Sequence, residues 1–370
     1  MKIKKIILLP FALLYGLLIR IRNWLFDSGL IKVHSFDVPT ICVGNLTTGG
    51  TGKTPHTEYL VKLLHQQGYK PAVLTRGYKR KKKGYVEVKR SHSAKEVGDE
   101  PRQLKQKFPG LIIAVSGNRV KGVQQLMNDH PNLDVILLDD GYQHRQIKAG
   151  LNLLLTEYTD PFTQQTLLPA GNLREPVSEK KRADIIIVTK APNVYSPIED
   201  RRMRDLLQPL SYQELYLSYL SYKSPVKFAP NQEDPEKLPL SEEQKVVLFS
   251  GIANPIPLKN QVMRYCRELR PIHFPDHHFY TRKDLEKIKK EMDEIPPANR
   301  VVLTTEKDVY RISGSEVEQE FSELPLYYLP VKVGVHQAPD QSSFDEKILN
   351  YVQKNRREHS IPQAEDQQES

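Results

Sequence analysis

Lys53 and Thr54 close the run VGNLTTGGTGKTP, residues 43–55, whose residue types and spacing suit it to holding phosphate. Gly49, Gly50 and Gly52 let the backbone turn tightly enough for several N–H groups to converge on phosphate oxygens. A helix starting at the end of the run would add its partial positive charge. Within the cradle formed by Thr48, Gly49, Gly50, Thr51 and Gly52, Lys53 would reach the β- and γ-phosphates. The Thr54 hydroxyl would ligate Mg²⁺. Thr47 stands where the usual G-x-x-x-x-G-K-[ST] pattern has its first glycine, which lengthens the approach without removing a donor. Pro55, in the first helical turn, costs no hydrogen bond.

Such a loop needs an acidic strand end to hold the metal. VILLDDGYQH, residues 135–144, supplies an apolar strand ending in Asp139 and Asp140, either of which could meet Mg²⁺ directly or through water. A guanine-reading element would be [NT]-K-x-D after a strand. Here Thr189-Lys190-Ala191-Pro192 puts proline in place of the aspartate, which favours ATP over GTP.

Two further clusters carry acid–base chemistry. Asp99 sits at a glycine turn in VGDEP, residues 97–101, where a carboxylate by itself more often caps a helix than catalyses. HFPDHH, residues 273–278, concentrates imidazoles and a carboxylate. A zinc site is conceivable there, but no cysteine or further ligand motif lies nearby. A general base fits better, because a histidine held by a carboxylate titrates near working pH.

These residues need a scaffold. The apolar runs Thr40–Val43, Ala72–Thr75, Ile112–Val115, Val135–Leu138, Asn152–Leu155, Ile185–Thr189, Val246–Ser250 and Val301–Thr304 read as strands. Several are apolar throughout, as parallel strands buried on both faces are. Helical patterns alternate with them at Pro55–Gln67, Asn118–Asp129, Asp200–Leu207, Pro257–Leu269 and Thr281–Glu291. The alternation predicts an α/β fold: a P-loop NTPase-like, doubly wound, mostly parallel sheet with a smaller C-terminal α/β part and an N-terminal membrane-associated helix. The divisions expected are an anchoring helix at 1–28, a kinase-like domain at 29–222, a Pro-rich charged linker at 223–245, a domain at 246–352 closing the cleft, and a disordered tail at 353–370.

The chain of 370 residues is long enough for two cores, and 39% apolar with 27% charged residues describes a globular protein. Cys42 and Cys266 have no metal-like spacing and read as reduced thiols. The net charge of +9 suggests an anionic partner. Part of it lies in the run Lys79–Lys83, and part around IILLPFALLYGLLI, residues 6–19. Those fourteen residues rise about 21 Å as a helix, short of a hydrocarbon core of about 30 Å. The segment therefore reads as partly inserted, with Trp24 and basic side chains at headgroup level. A secretory signal is disfavoured, because Arg20-Ile21-Arg22-Asn23-Trp24 occupies the place of a cleavage site. No aromatic-interleaved nucleic-acid module accompanies the charge, so nucleic acid ranks low as a partner.

In order along the chain, the N-terminal apolar segment, VGNLTTGGTGKTP, LTRGY (74–78), VGDEP, LLDDGYQHR (137–145), LLPAGNLREP (167–176), FSGIANP (249–255), FPDHHFYT (274–281) and LTTEKD (303–308) resemble the tetraacyldisaccharide 4'-kinase family, the lipid A 4'-kinases of Gram-negative bacteria. That family's loop carries Asn-Leu-[Ser/Thr] where generic loops have glycine. The resemblance implies transfer of the ATP γ-phosphoryl group to the 4'-hydroxyl of a tetraacylated disaccharide 1-phosphate, with Mg²⁺, at the cytoplasmic face of the inner membrane. Residues 6–26 would be the anchor, and no obligate protein partner is evident. It further implies that Lys53, Thr54, Asp139 and Asp140 serve phosphate and metal, and that Asp99 with His277, meeting across the cleft between the two domains, accepts the substrate proton. Arg76, Tyr78, Asn172, Arg174 and Glu175 would line the substrate cleft. The rival expectation is a membrane-tethered P-loop switch or metal-delivery NTPase using the His273–His278 cluster. A third, a basic nucleic-acid-binding ATPase, would demand salt-sensitive binding of DNA or RNA.

Overall fold

The computed structural model describes residues 2–78, 80–229, 236–238, 243–252, 254–338 and 341–359. Lys79 of the basic run, parts of the expected linker (230–235 and 239–242) and residues 360–370 of the expected tail lie outside the described residues. The chain forms two compact units, one of residues 1–89, 108–220 and 333–370, the other of 90–107 and 221–332.

The first unit begins with helix α1 (Lys2–Asp27) and builds its sheet from β1 (Thr40–Asn45), β2 (Pro71–Thr75), β3 (Val86–Glu87), β4 (Ile112–Val115), β5 (Val135–Asp139), β6 (Leu151–Glu157), β7 (Ile185–Thr189) and β8 (Glu214–Tyr222). The second unit's sheet uses β9 (Val226–Lys227), β10 (Lys245–Ser250), β11 (Glu268–His273), β12 (Arg300–Thr305) and β13 (Leu326–Leu329). β14 (Val331–Val335) then returns to the first sheet, whose order is β14-β8-β7-β6-β1-β5-β2-β4-β3. From β8 to β4 each neighbouring pair is parallel, and β3 pairs antiparallel at an edge.

β1, β5 and β7 are buried at every position, which is why their sequences are apolar without alternation. Helix α2 (Lys53–Gln66) packs on β1, β2 and β5. The pairing of β1 with β5 sets Val43 opposite Asp139, so the phosphate-type loop and the acidic strand end leave adjacent strands at the same edge. Truncating a wholly buried residue such as Leu137 to alanine would cost about 2–5 kcal/mol.

The first unit also holds α5 (Arg119–Asp129) and α6 (Pro197–Leu207). The second unit holds α3 (Ala94–Val97), α4 (Asp99–Lys107), α7 (Ile256–Val262) and α10 (Glu318–Ser322), with α8 (Arg282–Asp293) against β10 and α9 (Glu306–Ile312) against β12 and β13. Its strand order is β11-β10-β12-β13-β9, parallel except at β9.

Three expectations are corrected. The helix expected over Pro257–Leu269 stops at Val262, and Glu268–His273 is a strand. β11 is an edge strand, which is where Pro271 can sit without breaking a ladder. The tail expected from residue 353 is helical to His359, because Phe344, Ile348 and Val352 form a buried stripe from which the helix α11 (Phe344–His359) propagates. Residues 333–352, expected in the C-terminal domain, belong to the first unit. There Tyr351 Oη donates to the Thr40 carbonyl at 3.1 Å and accepts from its N–H at 3.2 Å.

Candidate active site

In the first unit the cradle begins where β1 ends. Gly44 is required by close approach, since a Cβ there would lie 2.5 Å from the Tyr142 Cβ. The Asn-Leu-Thr approach is tied as a short antiparallel bridge, Thr47 to Leu173. The Thr48 N–H donates to the Asn172 carbonyl at 2.7 Å, and the Arg174 N–H donates to the Leu46 carbonyl at 2.7 Å. Thr47 therefore does more than lengthen the loop: its carbonyl accepts from Arg174 Nε at 2.9 Å and its hydroxyl from Asn45 Nδ2 at 3.1 Å.

Gly52 caps α2 in the left-handed region at φ +88° and Gly49 stands at +108°, a conformation glycine adopts without Cβ strain. No atom lies within 4 Å of where a Cβ would stand on Gly49 or Gly50, so the loop faces open space. His56 lies beneath it, buried. Its Nδ1 is 2.8 Å from the Gly52 carbonyl and its Nε2 2.9 Å from Ser218 Oγ. Burial pushes this imidazole down to about 4, so it is neutral at physiological pH. The Thr189-Lys190 element, which lacks the base-reading aspartate, supports the loop instead. Thr189 Oγ1 donates to the Thr51 carbonyl at 2.9 Å and Lys190 Nζ to the Gly50 carbonyl at 2.7 Å.

The charged centre is compact. Lys53 Nζ donates to Asn45 Oδ1 at 3.2 Å and pairs with Asp140 Oδ1 at 3.6 Å. Arg174 Nη2 bonds the same two oxygens, at 2.6 Å to Asn45 and 3.1 Å to Asp140. Asp140 has a left-handed backbone at φ +48°, the kind of strain that gathers at functional sites. Burial pushes its carboxyl up, but the charges of Lys53 and Arg174 outweigh this and hold it below the ordinary carboxylate value. Asp139 is buried and accepts from Thr57 Oγ1 at 3.2 Å, while its carbonyl accepts from the buried Arg119 at 3.2 Å. Thr54 is half-buried in the first turn of α2. Thr54, Asp139 and Asp140 fit Mg²⁺, which takes one or two carboxylates and completes its shell with water and phosphate oxygens.

Glu175 is buried and pairs with Arg182 and with Arg22 of α1, at 3.2 Å for the latter. Burial pushes its carboxyl up. Arg76 and Tyr78 are exposed, as is Asn172. Helix α1 is also part of this site: Tyr15 Oη donates to the Arg174 carbonyl at 2.8 Å and Arg22 Nη2 to the Gln143 carbonyl at 2.5 Å. Ala12, Gly16 and Asn23 face inward, whereas Ile6, Ile7, Phe11, Leu13, Leu17, Leu18 and Trp24 are exposed.

In the second unit Asp99 opens α4, and its Oδ2 lies 2.9 Å from His277 Nδ1. Both residues belong to that one unit, so the expectation that they meet across a cleft between domains is corrected. The reason is that residues 90–107 pack with α9. His277 has a left-handed backbone at φ +62°. Burial pushes the Asp99 carboxyl up, while the His277 hydrogen bond and the Arg311 charge outweigh it, leaving the group below its ordinary value. The histidines of the cluster divide their roles. His278 bonds Asp284 at 3.0 Å and stacks on Phe274, capping the region before α8. Among the described residues no group of three or more His, Cys, Asp or Glu could hold a metal ion.

Sequence reasoning missed Asn45, His56, Arg119, Tyr15, Arg22 and Arg311. Asn45 and Arg311 stand inside or just beyond recognisable motifs, but a side chain's partner across the sheet is not written in local spacing.

Residues 4–353 match the profile of the family described as LpxK, tetraacyldisaccharide-1-P 4'-kinase. A protein named tetraacyldisaccharide 4'-kinase from Phocaeicola vulgatus is 42% identical over 354 residues, covering 95% of this chain and 96% of the relative. Its namesake from Bacteroides thetaiotaomicron is 41% identical, covering 98% and 97%. A crystal structure titled as the "apo" form of LpxK from Aquifex aeolicus in complex with ATP superposes with a TM-score of 0.71 at 29% identity, covering 95% of this chain and 99% of that one. With family-wide coverage on top of the cradle and the acidic strand end, the chain belongs to the tetraacyldisaccharide-1-phosphate 4'-kinase family.

Proposed function

We propose that the protein is an ATP-dependent kinase that phosphorylates the 4'-hydroxyl of a tetraacylated disaccharide 1-phosphate, a late step in building lipid A. The observation that carries this reading is the cluster of Lys53, Asn45, Asp140 and Arg174 at the N-terminus of α2. Thr48 to Gly52 would hold the triphosphate through backbone N–H groups. Lys53 and Arg174 would exchange their pairing with Asp140 for the γ-phosphoryl oxygens, where charge accumulates in the transition state. Thr54, Asp139 and Asp140 would hold Mg²⁺, which would neutralise charge on the phosphate during transfer.

In the transfer, the bond between the γ-phosphorus and the β–γ bridging oxygen breaks, a bond forms to the sugar oxygen, and ADP leaves. The hydroxyl proton passes to the Asp99–His277 pair. A sugar hydroxyl is a poor nucleophile at neutral pH, so an acceptor within hydrogen-bond reach is worth roughly 10²–10⁴ in rate. Arg76, Tyr78, Asn172 and Glu175 are assigned to the substrate's surroundings; for Asn172 and Glu175 the support is their hydrogen-bonded neighbourhood beside the cradle.

Support for a membrane location comes from α1. Over Ile6–Asp27 it is apolar and long enough to cross a membrane, and its outward face is the apolar one, the reverse of a soluble helix. With Arg20 and Trp24 at one end, it would lie in the cytoplasmic leaflet of the inner membrane, presenting the site to lipid. Incubation of the purified protein with [γ-³²P]ATP and a Gram-negative lipid extract should label a disaccharide lipid at its non-reducing sugar. Label on any other lipid class, or none, overturns the assignment. Removing residues 1–26 should shift the protein from the membrane fraction towards the soluble one; unchanged fractionation would make α1 a core helix.

A further inference from the structure

Beneath the Asp99–His277 pair lies a cation that the proposed mechanism has not used. The Arg311 side chain is 2% exposed. Its Nη1 donates to the Gly251 carbonyl at 2.6 Å and to Asp308 Oδ1 at 2.9 Å. The rest of the guanidinium points at the pair: Nε stands 3.7 Å from Asp99 Oδ2, and Nη2 stands 3.4 Å from His277 Nδ1 and 3.9 Å from Asp276 Oδ1. Among the described residues Nε has no hydrogen-bond partner, although buried polar groups are almost always paired.

The support for this placement is rigid. Thr305 caps α9 by accepting from the Asp308 N–H at 3.1 Å, and three residues on, Arg311 falls on the same helical face as Asp308. Asp308 is wholly buried and also accepts from the Gly251 N–H at 3.1 Å and from Thr305 Oγ1 at 2.6 Å. A buried arginine with one end fixed by a buried carboxylate and a backbone carbonyl has little freedom to turn away.

We propose that Arg311 is a positioning residue for phosphoryl transfer, fixing the Asp99 carboxylate and the His277 ring as the unit that receives the hydroxyl proton. This rests on the role of Asp99 and His277 given under the proposed function. With Asp99 ionised, Nδ1 of His277 carries the proton it donates to Asp99, and Nε2 keeps a free lone pair. Arg311 holds that state by attracting the carboxylate, whose ordinary value is already lowered by His277 and Arg311 against the effect of burial. The other charges facing the carboxylate are Arg102 and Glu100 of its own helix, Lys307 and Asp308 of α9, and Asp276 beside His277. Arg311 stands 3.7 Å from Asp99 and is cut off from water, so its loss is the one that mobile ions cannot make good.

The test uses the full chain in detergent with ATP, Mg²⁺ and the disaccharide lipid. Arg311→Met alone leaves Asp308 buried without its partner and can unfold, so the informative variant is R311M/D308N, which removes both charges and keeps an amide side chain against Gly251 and Thr305. Arg311→Lys is the conservative companion. Thermal melts establish that each is folded. The expected result for R311M/D308N is an acid limb of kcat/KM moved up by about one pH unit or more, the shift an opposite charge at this range produces. R311K should stay within about threefold of the parent with its limb nearly in place, because it keeps the charge. A limb that moves by less than about half a unit in R311M/D308N overturns the proposal, whatever the rate. Failure of the proton-acceptor role itself looks different: Asp99→Ala and His277→Ala would then each retain activity within tenfold.

Discussion

The candidate phosphate cradle and the proposed proton-accepting pair are built on opposite plans. In the first unit, Asn45, Lys53 and Asp140 come from the ends of adjacent parallel strands and the loops that leave them, so the sheet register delivers them together. In the second, Asp99, His277 and Arg311 come from a helix start, a loop after an edge strand and the last turn of another helix. The cradle is charged and opens to space through its glycines. The pair is backed by a buried arginine and a buried aspartate and sits on a strained backbone. Binding a triphosphate calls for many donors around an open space, whereas moving one proton calls for one geometry held firmly.

The difference can be pressed hardest at Lys53. Lys53→Ala should remove nearly all phosphoryl transfer while the protein stays folded, since on the proposed role its charge would act on the transferred group in the transition state. Activity within tenfold of the parent at saturating ATP and Mg²⁺ would reject the cradle. The pair should show a smaller and non-additive response. Asp99→Ala and His277→Ala are each expected to lower kcat by roughly 10²–10⁴. The double variant should be little worse than the poorer single, as members of one unit behave. Fully multiplicative losses would show two independent contributions instead of one.

The smallest effect separates the units by stability instead of rate. His56 is fully buried with its folded value near 4, against an ordinary 6.5 in the unfolded chain. Above pH 6.5 neither state protonates and the histidine leaves stability flat. Between 6.5 and 4 the unfolded chain binds the extra proton, so stability falls by up to about 1.4 kcal/mol per pH unit. His144, also pushed by burial to about 4, acts in the same direction and in the same unit. In the second unit, Asp99 and Asp284 are lowered carboxylates, whose contribution is present at neutral pH and is lost only as pH drops below the ordinary 3.8. Hydrogen exchange followed from pH 7 to 4.5 should therefore show protection fading in β1 and α2 before β10 and β12. Simultaneous loss would mean the two units unfold as one.

Legibility in the sequence follows the same division. Strands such as Ile112–Val115 and Ile185–Thr189 agree with their apolar runs residue for residue, because burial on both faces leaves only apolar choices. The cradle is legible because its residues are contiguous. β8, with ELYLSYLSY, is not, because its mixed polar and aromatic face gives no clean period. The stripe Phe344, Ile348, Val352 is masked by the polar tail beside it, and with it the return of the chain to its first unit. The role proposed for Arg311 has no local signature, since it depends on a residue more than 200 positions upstream, Asp99.

The order in which the chain visits its two units has a consequence for synthesis. A ribosome releases β1 to β8 before it makes most of the second unit, yet β14 and α11 of the first unit come after β13. Until then β8 has an unpaired edge, the Thr40 backbone lacks Tyr351, and Phe344 is missing from its place beside Tyr59 and Tyr216. The first unit thus stays unfinished until residues 333–359 are made. A nascent chain in that condition carries an open sheet edge, and β14 with α11 is what closes it.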